Sequence, residues 1–184
     1  NSYLQAYDYG YKELTEYFNE YKYCKITNTI TEKLRELVDL YATNRIYYSL
    51  LDRRSSIISK KNKENSKLYF VDALGVEYLN YIQELCYAKN MSFDVDLAYC
   101  ELPSITYMNK EFVSDFSNHV DVKDLDNIKH EGNGKYNYEQ TKLPIHIIEE
   151  MNILNRVLEN VENDLHDGIE RIFLVSDHGA SRLA

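Results

Sequence analysis

The chain changes rhythm near residue 66. Before that point, apolar residues recur at helical spacing. In "YLQAYDYGYKELTEYFNEYKY" the pattern predicts a helix over residues 3–23. A second helix is predicted from "TITEKLRELVDLYA", where Thr29 and Glu32 have capping-box spacing and Leu34, Leu37, Val38 and Tyr41 share a face. The spacing continues through "RIYYSLLDRRSSII", so residues 1–60 read as wholly helical. The polar run "SKKNKENS" then reads as a linker.

After Ser66, short apolar runs alternate with helical stretches. "KLYFVDA" is a strand ending in an acid, and "VEYLNYIQELCYAK" has helical spacing at Leu79, Ile82, Leu85 and Cys86. "SFDVDLAY" alternates, with Phe93, Val95, Leu97 and Tyr99 on one side, and predicts a strand. "TYMNKEFVSDF" can open a helix, whereas residues 117–142, polar and Gly/Asn-rich, read as a long loop that includes His119. "PIHIIEEMNILNRVLENVENDL" is the strongest helical pattern, with Pro144 suited to its first turn, and "RIFLVSD" is a last strand. Continuous apolar strands alternating with helices predict an α/β fold, a parallel sheet flanked by helices. Two segments follow: 1–66, a helical N-terminal segment and linker, and 67–184, the α/β core. In such sheets, sites form at the carboxyl ends of the strands.

Composition narrows the function classes. With 184 residues, 44% hydrophobic and 28% charged, the chain has the makeup of a globular domain. No apolar run reaches the ~20 residues of a membrane span, and the polar start "NSYLQAYDYGYKEL" lacks the apolar core of a signal peptide. Cys24, Cys86 and Cys100 are scattered without a CxxC spacing, which predicts reduced thiols in a cytoplasmic protein. A net charge of −9 argues against direct nucleic-acid binding by this segment. The local basic stretch "RRSSIISKKNK" reads as a solvated helix end. The 18 tyrosines are interleaved with acids rather than Arg and Lys, a helix-surface pattern and not a base-stacking platform.

The candidate chemistry lies at strand ends. Asp72 closes "LYFVD", and Asp177 and His178 close "IFLVSD". On parallel neighbouring strands these side chains meet at one sheet edge, and carboxylate plus imidazole suits zinc or manganese. Each alone has a plainer reading, as a helix cap or a solvated loop residue. Between them, "ELPSITYMNKEF" delivers Thr106 to the same edge at a helix start. Thr106 is either an N-cap or a nucleophile, and a hydroxyl needs a base or metal to become one. A helix N-terminus there would also favour an anionic phosphoryl group.

Asp72 after the first strand, "PSIT" before a helix, and "SDHG" after a later strand resemble the alkaline phosphatase superfamily. Within it, "YFVDALGVEYL", "ELPSITYMNKEF" and "RIFLVSDHGASRLA" most resemble the PglZ-domain family of BREX-type phage-defence systems, over residues 67–184. The resemblance implies an alkaline-phosphatase-like sheet and a site with two divalent ions, zinc first, manganese or magnesium as alternatives. Such ions, ~4 Å apart, stabilise both the attacking and the leaving oxygen. Asp72, Asp177 and His178 match metal ligands, and Thr106 matches a nucleophile that forms a phosphothreonine. The superfamily also needs an Asp/His pair between nucleophile and Asp-His motif. Asp126/His130 and the reversed His146/Glu150 both have a four-residue step, which puts two side chains on one helix face. Arg182 is either a phosphate contact or a surface ion pair. A further histidine ligand is expected downstream of the Asp-His motif. The expectation is therefore a truncated catalytic core, inactive by itself.

The expected function is hydrolysis of phosphate mono- or diesters in phage defence, with defence proteins such as a DNA methyltransferase as partners. A docking module that recruits other defence subunits through the tyrosine-rich helices is the alternative, and a nuclease is a third class.

Overall fold

The computed structural model describes residues 2–130 and 145–179. The fold is α/β. Among the described residues, seven α-helices accompany two parallel sheets. The helices are α1 (Lys12–Thr27), α2 (Glu32–Asn44), α3 (Ile46–Leu50), α4 (Arg54–Ser59), α5 (Leu79–Ala88), α6 (Asp124–His130) and α7 (Ile145–His166). The strands are β1 (Asp52–Arg53), β2 (Ser66–Val71), β3 (Ala98–Tyr99), β4 (His119–Val122) and β5 (Arg171–Val175). None of the described helices is long and apolar enough to cross a membrane.

The main sheet has the order β4-β2-β5, with β2 parallel to both neighbours. Its register sets Leu68 opposite His119 and Phe173, and Phe70 opposite Asp121 and Val175. All three carboxyl ends therefore point the same way. The central strand is buried on both faces, which is why it reads as an unbroken apolar run. Tyr69 and Val71 pack with Tyr78, Ile82, Leu154, Val157 and Leu158 from α5, α7 and the turn before α5. Leu68 and Phe70 pack with Ile58, Phe112 and Phe116 on the opposite face.

Packing runs across residue 66. Tyr3 is buried in the first core with its ring 5.3 Å from that of Tyr78, and Ile58 of α4 is in the second. Several elements differ from the sequence reading. The first helix begins only at Lys12, because Gly10 adopts φ 79° and its N–H donates to Asp8 Oδ1 at 2.9 Å, closing a turn. The cap of α2 is Thr31, not Thr29: its hydroxyl accepts from Leu34 N at 3.1 Å. Residues 1–60 are not wholly helical, since β1 pairs with β3. The alternating stretch before Ala98 stays outside any ladder, with Lys61 paired to Asp94 and Asp96. In the segment read as a loop, His119–Val122 forms an edge strand and Asp124–His130 a helix. The predicted start of the long helix at Pro144 lies outside the described residues.

Lys67 and Tyr69 on β2 both donate to the carboxylate of Asp164 near the end of α7, tying helix to sheet. Burial works to raise the Asp164 carboxyl, but the Lys67 and Tyr69 hydrogen bonds and the Lys67 charge outweigh it and hold the group below its ordinary range. A carboxyl held low adds stability above about pH 4 and loses that contribution as pH falls. Asp164→Asn is expected to cost about 1 kcal/mol at neutral pH. It should also flatten the acid limb of stability. Urea unfolding at pH 7 and pH 3 reads both effects, and an acid limb identical to wild type would rule out this ion pair as their source.

Candidate metal centre

Asp72 follows β2 directly and is buried. The chain must turn at once, and Ala73 does so with φ 63°, the left-handed region that an alanine rarely occupies. Strain of this kind persists only where the surroundings hold it. Here the Ala73 N–H donates to Asp177 Oδ1 at 3.2 Å, which joins the β2 and β5 loops. The loops also touch glycine to glycine: a Cβ on Gly179 would lie 3.2 Å from the Cα of Gly75.

β5 ends at Val175 and presents Ser176, Asp177 and His178 at the same edge. Asp177 is 1% exposed. Its Oδ2 makes no hydrogen bond among the described residues yet lies 3.1 Å from Nε2 of His178, and Nε2 is 3.9 Å from Oδ1 of Asp72. One donor atom from each of Asp72, Asp177 and His178 lies within 4.8 Å of the others. Nδ1 of His178 sits 3.2 Å from the carbonyl of Gly179. With the ring proton on Nδ1 donated there, Nε2 turns a lone pair toward Asp177. Burial, then the charges of Asp177 and Asp126, raise the Asp72 carboxyl above its ordinary value, with His178 and Thr106 opposing in part. Two buried like charges and an imidazole around one point fit a divalent cation by the chemistry of the donor set.

Thr106 lies at this cluster. Its Oγ1 is 3.4 Å from both carboxylate oxygens of Asp72. It opens a three-residue 3-10 turn, not an α-helix, so no helix N-terminus stands behind it and its hydroxyl is not an N-cap. The reason is Asn109, which is fully buried. Its Nδ2 donates to the carbonyls of Glu101, Pro103 and Ile105, and its Oδ1 accepts from Glu101 N at 2.8 Å. These bonds fold residues 101–109 into a closed loop instead of a helix.

Arg54 is not part of a solvated helix end, the pattern its basic neighbours predict. The residue is 8% exposed. Its Nη1 donates to the carbonyls of Ser176 and Asp177 at 3.2 and 2.6 Å, and its Nη2 to Asn109 Oδ1 at 3.0 Å. A basic run carries no mark of which member is buried, so neither Arg54 nor Asn109 is legible from pattern alone.

The second-site candidates fare differently. Asp126, on α6 at the carboxyl end of β4, acts on Asp72 through its charge but is outside the three-residue group. His130 closes α6, and its side chain and Arg182 lie outside the described residues. His146 is buried near the start of α7 and is likewise outside the group. Glu150 is engaged elsewhere: its Oε2 lies 3.0 Å from Lys25 Nζ and accepts from Tyr78 Oη. No protein-family model, curated protein or solved structure matches this chain.

Proposed function

We propose that residues 67–184 carry the metal-dependent core of a phosphoester hydrolase of alkaline phosphatase type, akin in its motifs to PglZ-domain proteins, with Thr106 as nucleophile. The observation that carries the reading is the Thr106 hydroxyl beside the Asp72 end of a buried Asp-Asp-His cluster. A cation such as zinc, manganese or magnesium held by Asp72, Asp177 and His178 would supply charge neutralisation at the phosphoryl oxygens. Thr106 Oγ1 attacks phosphorus, the ester P–O bond breaks, and the alcohol leaves with its electron pair and takes up a proton. Beside such a cation the Thr106 hydroxyl would more readily lose its proton to water, and water returns a proton to the leaving oxygen. Water then attacks the phosphothreonine, breaks the P–Oγ bond and restores the hydroxyl. The service is phage defence, in a complex with partners such as a DNA methyltransferase, and this part rests on the motifs alone.

The test is divalent-metal titration of the protein, with its hydrolysis of an aryl phosphate measured alongside. An aryl ester suits the exposed Leu102, Ile105, Tyr107 and Met108 around Thr106. Asp177→Asn should lower manganese affinity at least ~100-fold and abolish turnover. Absence of divalent-metal binding would sink the proposal.

A further inference from the structure

We propose that Arg54 is a positioning residue that sets the nucleophile loop against the ligand loop. This rests on the reading of Thr106 and Asp177 given above. Two loops must be held in register for that site to work, and they come from chain segments about 70 residues apart. The contact of Thr106 with the cluster is long: its hydroxyl reaches Asp72, at the end of β2, only at 3.4 Å. Arg54 provides the strong link. One arm of its guanidinium binds the main-chain carbonyls of Ser176 and Asp177. The other binds Asn109 Oδ1, and Asn109 in turn holds the carbonyl of Ile105 at 3.1 Å, one residue before Thr106. The path from ligand to nucleophile is therefore Asp177, Arg54, Asn109, Ile105, Thr106.

The arginine is itself held on three sides. Its guanidinium lies 4.9 Å from the ring centre of Phe112. The residue before it, Arg53, is fixed in the β1–β3 ladder opposite Tyr99, on the strand that leads into the nucleophile loop. Ile58, one turn on, is buried in the second core. Arg54 also binds the carbonyl of Asp177 and not its carboxylate. Its charge thus orients the ligand without competing for it. A planar fork is needed to span both partners, and a lysine ammonium is a point charge that serves one at a time.

The experiment compares wild type, Arg54→Ala and Arg54→Lys in this chain. Manganese binding is followed by loss of the free-ion EPR signal, and hydrogen exchange is followed at residues 101–109 and 176–179. Arg54→Ala should weaken manganese binding about tenfold and speed exchange in both segments together, as loss of a shared orienting partner does at other metal sites. Arg54→Lys should fall between. Guanidinium ion should restore both readouts in Arg54→Ala, at a concentration where sodium ion does not. A folded Arg54→Ala with wild-type affinity and unchanged exchange overturns the proposal. If Arg54→Ala does not fold, an Arg54→Lys variant identical to wild type in both readouts overturns it as well. If wild type binds no manganese, the functional reading fails, and the exchange comparison still decides whether Arg54 couples the loops.

Discussion

Thr106→Ala is expected to bind manganese like wild type and to lose aryl phosphate hydrolysis by on the order of 10⁴-fold. The separation of the two readouts follows from position. Asp72, Asp177 and His178 supply the clustered donor atoms, and Thr106 is not among them. Its hydroxyl touches the cluster only through long contacts to Asp72, and its side chain is half-buried, so its removal should cost under ~1 kcal/mol of stability. The hydroxyl of Ser176, on the ligand loop, is already engaged: it donates to the carbonyl of His178 at 2.7 Å. A nucleophile cannot be replaced from there without breaking the loop. Residual activity near wild type would mean that water, and not Thr106, attacks the ester.

Lys25→Met should destabilise the fold by roughly 3–5 kcal/mol, read by urea unfolding. The Lys25 side chain is fully buried, with Glu77 Oε1 at 3.1 Å, Glu150 Oε2 at 3.0 Å and Tyr78 Oη at 2.6 Å. Burial alone would lower its affinity for a proton, but Glu77 and then Glu150 outweigh burial and raise it above the ordinary lysine range. A cation held in this way adds stability at every pH below about 10, and the contribution is lost only as alkali strips the proton. Methionine matches the volume but leaves two buried carboxylates with no cation between them. The double variant Lys25→Met with Glu150→Gln should recover a large part of the loss, because it removes one of the two charges left behind. A double variant no more stable than Lys25→Met would mean that packing, not charge, sets the cost.

This cluster also explains why one expected ligand did not join the centre. His146 and Glu150 have the spacing of a chelating pair, and Glu150 is indeed buried on one face of α7. Spacing on a helix says that two side chains share a face. It does not say which element that face meets. For Glu150 the answer is Lys25 of α1, more than a hundred residues earlier. Asp126 illustrates the reverse case. It sits in a stretch that looks like a polar loop, yet the pairing of "HVDV" with β2 carries it to the carboxyl edge of the sheet.

The parts that the amino-acid sequence determined by itself are those in which local chemistry is decisive. "LYFV" and "IFLV" are apolar without interruption, which marks both as strands of a covered sheet; β2 is buried on both faces and β5 is half-buried, and α7 has the periodicity of a helix set against a core. Acids and an imidazole placed straight after such strands put their side chains together at the strand ends. The tertiary structure alone decided the rest. A two-residue ladder at β1–β3, a four-residue edge strand at β4 and a buried guanidinium at Arg54 gain their stability from partners distant in sequence. Short polar stretches are ambiguous until such a partner supplies the hydrogen bonds, and the same energy that leaves them free in the unfolded chain fixes them once the loops of Asn109 and Asp177 close around Arg54.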